Sequence, residues 1–94
     1  MVNVNKKYLH DRIVKGSWAL FKKEVLAAKS DEELKHLLGQ FFAPTEKIQL
    51  EKRLAILYLL KTGMSYREIG RAIDVAPATI SFVKRGFKKK LGIK

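Results

Sequence analysis

The sequence predicts an all-α fold of five to six helices, with a helix-turn-helix towards the carboxyl end. Apolar residues recur at three- and four-residue steps in each long segment, as they do in amphipathic helices, and no segment alternates apolar and polar residues as a half-buried strand does. The 94 residues are 47% apolar, which suits one folded domain with a small core. We therefore expect a single domain, with N-terminal helices that form a dimer in residues 1–42 and a core helix, the helix-turn-helix and a basic end in residues 44–94.

The first two helices are predicted from an amphipathic pattern and a start signal. Residues 4–28 hold two apolar rows with lysines and arginines between them, and Gly16 is a weak point in this helix. Ser30 and the three carboxylates at 31–33 form a capping-box pattern, from which a second helix runs towards Phe42. These carboxylates complement the positive end of the helix dipole. A catalytic carboxylate pair is not expected, because adjacent residues of a helix point apart.

The third predicted helix is the central core helix. Pro44 suits its first position, and apolar residues follow at helical spacing from Ile48 to Leu60. The pair Thr62-Gly63 closes it.

A clear start signal precedes the fourth helix, which is predicted over residues 66–73. Ser65 is placed as its N-cap, and Glu68 stands three residues later, as a capping box requires. Met64 and Ile69 occupy the two positions of a hydrophobic staple. A last helix is then expected from Pro77, with an inward stripe of apolar residues. That stripe consists of Ile80, Val83 and Phe87.

The spacing from Tyr66 to Arg85 matches a helix-turn-helix. Its apolar residues are expected to lock the two helices at a fixed crossing, and Gly70 to leave room for the second helix. The turn often needs a left-handed residue, and Asp74 stands there, which is acceptable because Asp is among the few non-glycine residues that visit this conformation. The locking residues are Ile69, Ile73, Val75, Ile80 and Val83.

The outward face of the last helix is expected to meet the major groove of double-stranded DNA. Small residues can contact thymine methyl groups, hydroxyls can bond base edges or phosphates, and arginine can reach guanine or the backbone. Ala78, Thr79 and Ser81 are expected at the base edges. The whole face presents Ala76, Pro77, Ala78, Thr79, Ser81, Phe82 and Arg85, and the start of the preceding helix adds Ser65, Tyr66 and Arg67.

Positive charge is concentrated beside this face. The formal net charge is +11, and a polyanion is the commonest partner of such a surface. Residues 1–47 hold nine Lys/Arg and six Asp/Glu, whereas residues 48–94 hold eleven and three, and no acid follows residue 75. A solvated basic helix face is the plainer alternative. We expect phosphate contacts from Lys84, Lys88, Lys89 and Lys90.

Several short segments of the sequence, within residues 34–85, resemble the Trp repressor superfamily. The resemblance implies an interleaved all-helical homodimer whose two helix-turn-helix units enter successive major grooves, with the N-terminal helix in the dimer core. It also implies a sequence-specific transcriptional regulator, in particular a repressor. The residues that carry it are Phe42-Ala43-Pro44, Glu46, Arg53-Leu54, Leu59-Leu60, Met64-Ser65-Tyr66-Arg67-Glu68-Ile69 and Ala78-Thr79-Ile80-Ser81.

The tryptophan site of that family is not matched here. The resemblance puts Arg53 at one of the two arginines that flank the bound indole, but Phe82 at the other and Val83 at a neighbouring glycine. The stretch after Arg53 is also one residue shorter than in the repressor. Phe82 cannot hydrogen-bond a carboxylate, so we expect neither tryptophan nor another cofactor. Arg53 is expected to pair with Glu46 or Glu51 instead.

No catalytic or metal-binding pattern stands out, so an enzyme is not expected. His10 and His36 are far apart and lack clustered acids at metal-ligand spacing, and there is no cysteine. The serines lack a nucleophile elbow, and the glycines form no phosphate-binding loop. No apolar run approaches the roughly 18–20 residues that span a bilayer, and charges occur throughout the first 30 residues, so we expect a cytoplasmic protein, on the nucleoid when bound to DNA.

Two other functions use the same features. A structured-RNA-binding protein shares the basic charge, but it usually displays exposed aromatic residues, for which only Phe82 is a candidate. A helix-turn-helix protein-interaction module is the second alternative, and its basic end is then incidental. The remaining aromatic residues are expected to fill a core because they lie on the apolar sides of their helices. These are Tyr8, Trp18, Phe21, Phe41 and Phe42.

Overall fold

The structure, a computed structural model, describes the backbone of residues 9–91 and the side chains of residues 9–88. This range contains five α-helices and no strand, which confirms the all-α fold class. The residues up to Phe41 and those from Phe42 onward form two compact units, which are described in turn. The helices are α1 (Asp11–Ala27), α2 (Asp31–Gly39), α3 (Pro44–Lys61), α4 (Tyr66–Ile73) and α5 (Pro77–Leu91).

Helix α1 starts later than predicted. His10 is extended (φ −67°, ψ 150°) and acts as the N-cap, with its carbonyl oxygen accepting the Val14 N–H at 3.0 Å. Asp11 then places a carboxylate in the first turn, where it complements the helix dipole. Residues 9 and 10 were predicted to be helical and are not, so the prediction is wrong there. Residues 4–8, which were predicted to belong to the same helix, lie outside the described range. Gly16 does not interrupt the helix.

Helix α2 begins where the capping pattern predicts and ends earlier than expected. The Ser30 hydroxyl accepts the Glu33 N–H at 3.1 Å, and the Glu33 carboxylate accepts the Lys29 N–H at 2.6 Å. The helix stops at Gly39 instead of continuing to Phe42. The next turn has the hydrogen bonds of a 3₁₀-helix, which join residues three apart. The N–H groups of residues 40 and 41 donate to the carbonyls of residues 37 and 38.

The aromatic residues of the first unit contact one another at its surface. Phe21 lies edge-on to Trp18 and to Phe41, with ring centroids 5.9 and 5.5 Å apart. Trp18 is nevertheless 66% exposed and Phe41 63%. The prediction that these rings fill a core is therefore wrong for Trp18 and Phe41 in the single chain, and Phe42 is also exposed, whereas Phe21 is half-buried. Tyr8 lies outside the described range.

The second unit has a compact core at the meeting point of its three helices. One fully buried isoleucine comes from each helix: Ile56 from α3, Ile69 from α4 and Ile80 from α5. Burial of each such side chain stabilises the fold by about 1.5–3 kcal/mol. Leu60 and Val83 complete the core. Helix α3 contacts both α4 and α5 and is the predicted central helix.

Both ends of α3 follow from local sequence. At the start, Pro44 occupies the first helical position and the Glu46 carboxylate accepts the Ala43 N–H at 2.7 Å. At the end, Gly63 takes the left-handed conformation (φ 89°). Its N–H bonds to the carbonyl of Leu60, and the next N–H, of Met64, bonds to the carbonyl of residue 59. This Schellman motif turns the chain towards α4.

Candidate nucleic-acid interface

The start of α4 is fixed by reciprocal hydrogen bonds, as predicted. The Ser65 hydroxyl accepts the Glu68 N–H at 3.2 Å, and the Glu68 carboxylate accepts the Ser65 N–H at 3.0 Å. The main-chain N–H of Ser65 and then its hydroxyl stabilise the ionised carboxylate, so the pKa of Glu68 is lowered. Met64 packs against the core in which Ile69 is buried, which completes the staple.

The turn between α4 and α5 has the predicted left-handed residue. Asp74 adopts φ 53° and ψ 65°, directly after the last residue of α4. The Lys52 ammonium donates to the Asp74 main-chain carbonyl oxygen at 3.2 Å, which connects the turn to α3. A Cβ atom on Gly70 would lie 3.3 Å from the carbonyl oxygen of Val75. Gly70 therefore makes room for the main chain of the turn, and not for the second helix as predicted.

Helix α5 begins at Pro77 and is held by its buried side. The carbonyl oxygen of Ala76 accepts the N–H groups of Thr79 and Ile80 at 3.0 and 3.3 Å. Ile80 and Val83 are buried against the other two helices. Phe87 departs from the predicted inward stripe: it is 40% exposed.

The predicted contact residues lie mainly on the side of α5 that is turned away from the core. Ser65 and Arg67 are exposed at the start of α4, and Tyr66 is half-buried there against the core. Lys89 and Lys90 belong to the backbone of α5, but their side chains lie outside the described range. On α5 and the residue before it, Ala76, Pro77, Ala78, Phe82, Arg85 and Lys88 are exposed, whereas Thr79, Ser81 and Lys84 are half-buried.

Two shallow depressions divide this surface. The first has a volume of about 260 Å³ and brings together one hydroxyl and three cations of α5. The second has a volume of about 220 Å³ and brings an arginine of α3 beside the first turns of α5. Ser81 therefore lines a depression with the cations, whereas Ala78 and Thr79, with which the sequence grouped it, line the other. Ser81, Lys84, Arg85 and Lys88 line the first depression, and Arg53, Ala78, Thr79 and Phe82 line the second.

Two cations of this surface lie over aromatic rings. The Lys84 ammonium is 5.4 Å from the ring centroid of Tyr66, and the Arg53 guanidinium is 5.6 Å from that of Phe82. Arg53 was expected to pair with Glu46 or with the carboxylate at 51, but its contact is the Phe82 ring. The Glu46 carboxylate instead caps α3. Sequence spacing does not indicate the Arg53–Phe82 contact, because the two residues are 29 positions apart and meet only when α5 packs on α3.

An apolar cavity of about 630 Å³ lies between α3 and α5. Leucines of α3 form one wall, and Phe82, Val83 and Phe87 form the other, with Arg53 and Arg85 among the lining residues. Further large apolar side chains of α3 stand exposed, notably those of Ile48 and Tyr58.

Neither a metal-ligand cluster nor a membrane-spanning helix is found in the part of the chain that the structure describes. No three histidine or acidic side chains there are grouped so that they could hold a metal ion. Among the described helices, none combines the length and the apolar composition needed to cross a membrane.

Comparison with known proteins gives one match, to a protein family. The family model of the Trp repressor protein matches residues 16–91, which extend from within α1 to the last residue of α5. The curated proteins give no match, and neither do the solved structures.

Proposed function

From the premise that the chain belongs to the Trp repressor family, whose members are helix-turn-helix DNA-binding regulators, we propose that it binds specific sites on double-stranded DNA and represses transcription. The observation that carries this proposal is the geometry of α4, the turn and α5. Ile69, Ile80 and Val83 fix the two helices against α3, and the opposite side of α5 is exposed and basic. A helix held in this way fits the major groove, which is about 12 Å wide.

Residues at the start of α5 supply the proposed base contacts. The methyl groups of Ala78 and Thr79 suit thymine methyl groups, and the Thr79 hydroxyl suits a base edge or a phosphate. Ala76 and Pro77 are exposed just before them, where only small side chains allow a close approach to the groove. Phe82 adds an apolar surface beside them.

Cations on α4 and α5 supply the proposed phosphate contacts. Lys84, Arg85 and Lys88 lie on one side of α5, and the sequence continues with Lys89 and Lys90. The start of α4, with Ser65, Tyr66 and Arg67, is proposed to cross the DNA backbone, as the first helix of this motif does. Because no acid follows residue 75, the field beside α5 attracts a polyanion.

We also propose that the protein acts as a homodimer. A second copy of the chain would cover the apolar cavity between α3 and α5 and the exposed apolar side chains of α3. The first unit, which exposes Trp18 and Phe41, is proposed to take part. Two-fold symmetry would place the two α5 helices one turn of DNA apart, about 34 Å. We propose that no tryptophan is required, since Arg53 already contacts the ring of Phe82.

The test is binding to duplex DNA, structured RNA and an unrelated polyanion at two salt concentrations, followed by selection from a random duplex pool. We expect salt-dependent binding to duplex DNA and enrichment of one two-fold symmetric sequence. Preference for structured RNA would favour an RNA-binding function, and the absence of any nucleic-acid binding would favour a protein-interaction module. A regulator of this kind acts on DNA. We therefore propose that the protein is cytoplasmic and lies on the nucleoid when it is bound to DNA.

A further inference from the structure

We propose that the depression lined by Ser81, Lys84, Arg85 and Lys88 binds one phosphodiester group of the duplex, and that Tyr66 is a positioning residue that holds Lys84 at this site. The inference rests on the proposed DNA-binding function and makes it more specific. It assigns a site to one chemical group of the ligand, and it gives Tyr66 a role other than direct DNA contact.

The depression has the composition of an anion site. Its four residues follow the spacing i, i+3, i+4 and i+7, so they share one face of α5. Lys84 and Lys88 are like charges four residues apart, an arrangement that destabilises a helix by itself. A phosphodiester in the depression would offset this repulsion, and its two free oxygen atoms would accept from the Ser81 hydroxyl and the cations.

The contact with Tyr66 explains how Lys84 is held in place. The Lys84 ammonium lies 5.4 Å from the ring centroid, and both side chains are half-buried. Tyr66 is itself fixed because it packs against the core and follows the Ser65 cap. A lysine side chain is otherwise flexible, so this contact reduces the entropy that is lost on phosphate binding.

An aromatic ring also leaves the charge of the lysine available. A carboxylate partner would neutralise Lys84, whereas a ring attracts it through its quadrupole and carries no net charge. The Tyr66 ring therefore orients the cation without competing with the phosphate. From the sequence, Tyr66 was expected to contact DNA directly and Ser81 to contact a base edge. In this proposal Tyr66 holds Lys84, and Ser81 contacts the phosphodiester.

The experiment is a double-mutant cycle with Tyr66→Leu and Lys84→Met, measured by fluorescence anisotropy on a duplex of random sequence over a range of salt concentrations. Lys84→Met is expected to weaken binding about tenfold and to reduce the slope of log K against log salt by about 0.9. Tyr66→Leu alone is expected to weaken binding about threefold, which is within the range of a partly exposed cation–π contact. Combined with Lys84→Met, it should have no further effect.

Two controls accompany the cycle. Tyr66→Phe keeps the ring and should bind within about twofold of the unaltered protein, since the quadrupole belongs to the ring and not to the hydroxyl. Lys35→Met removes one exposed charge from α2 and should leave the salt slope unchanged. Helical circular dichroism is recorded for every variant, and Tyr66→Met replaces Tyr66→Leu if the latter loses its helical signal.

The outcomes separate this inference from the proposed function. If the unaltered protein binds duplex DNA but Tyr66→Leu has the same cost with and without Lys84→Met, Tyr66 contacts DNA or only stabilises the fold, and the inference is wrong. Loss of binding in Tyr66→Phe would also overturn it, since it would assign the effect to the hydroxyl. Failure of the unaltered protein to bind any duplex would overturn the proposed function as well.

Discussion

The ammonium of Lys52 in α3 donates a hydrogen bond to the main-chain carbonyl oxygen of Asp74 at 3.2 Å. Asp74 is the left-handed residue that ends α4, so the bond places a cation at the carboxyl end of that helix. There it satisfies an acceptor and complements the helix dipole. The acceptor belongs to the main chain, and it persists whichever side chain stands at position 74.

The conformation of Asp74 leads to a prediction about stability. Asp74→Gly should change the free energy of unfolding by no more than about 0.5 kcal/mol, because glycine adopts positive φ freely. Asp74→Ala should lower the free energy of unfolding by about 1 kcal/mol, because the left-handed conformation is unfavourable for alanine. Urea denaturation at a fixed protein concentration measures both. Equal losses in the two variants would show that the Asp74 carboxylate, and not its φ angle, is what the fold requires.

Two helical glycines provide a second, paired prediction. Gly16→Ala should stabilise the protein by about 0.5–1 kcal/mol, because alanine favours a helix and no atom beyond the adjoining backbone of α1 lies within 4 Å of the added Cβ. Gly70→Ala should gain little or nothing, because its Cβ would lie 3.3 Å from the carbonyl oxygen of Val75. Thermal unfolding of both variants makes the comparison. A gain at Gly70 as large as that at Gly16 would contradict the crowding inferred for the turn.

The boundaries of the second unit were predictable because each has a local cause. Pro44 and Pro77 open helices that their ring geometry favours, and Gly63 ends α3 with a positive φ. The Ser65 cap uses groups only three residues apart. Such signals are contained in a short stretch of sequence, and they act in the same way in any fold.

The contacts that the sequence did not predict depend on how separate elements meet. The ring of Phe82 lies over Arg53 only because α5 packs on α3. Trp18 lies in an apolar row of α1 but is exposed in the chain, since periodicity shows which side is apolar and not what covers it. The contact of Lys84 with the Tyr66 ring likewise joins α5 to α4 and depends on how the two helices pack.

The third prediction concerns pH. The pKa of Glu68 is lowered in the folded state by its bonds with Ser65, so the folded protein holds the carboxylate ionised more readily than the unfolded chain does. The resulting stability is present above the ordinary glutamate value of 4.5 and is lost as the pH falls through the lowered pKa. Glu68→Gln should remove this part of the acid destabilisation. Urea midpoints at pH 7 and at pH values below 4.5 measure it.

Ser65→Ala is the matched control for the pH experiment. It removes the hydroxyl that accepts from the helix and should cost about 1 kcal/mol at neutral pH. Ser65→Ala should also lose less stability in acid than the unaltered protein does, and so come closer to Glu68→Gln. The reason is that one of the two causes of the lowered Glu68 pKa is gone. An identical pH dependence in the unaltered protein and in Glu68→Gln would show that the capping box does not contribute to acid sensitivity.

The fourth prediction tests the proposed homodimer. The protein should sediment at twice the chain mass of 10.8 kDa at micromolar concentration. Leu54→Glu should shift it towards the monomer, because Leu54 lines the cavity between α3 and α5 and is half exposed in the single chain. Gln49→Glu adds the same charge at an exposed site of α3 and should leave the dimer intact. A monomer before any substitution would refute the proposal.

The last prediction separates the residues that set affinity from those that set specificity. Lys88 lies in the cation-lined depression, so Lys88→Met should weaken all duplexes alike and reduce the salt slope by about one unit. Ala78 and Thr79 lie beside Arg53 in the other depression. Ala78→Leu and Thr79→Ile should cost about 1–3 kcal/mol on the selected site and far less on random DNA.

Anisotropy measurements on both duplexes, with circular dichroism to confirm folding, decide this prediction. The two classes of variant differ because a phosphate looks the same in every sequence, whereas a base edge does not. Lys88→Met is therefore expected to leave the ratio of selected to random affinity unchanged, and Ala78→Leu to reduce it. If Lys88→Met instead altered the preferred sequence while Ala78→Leu and Thr79→Ile weakened all binding equally, α5 would present a different face to the groove.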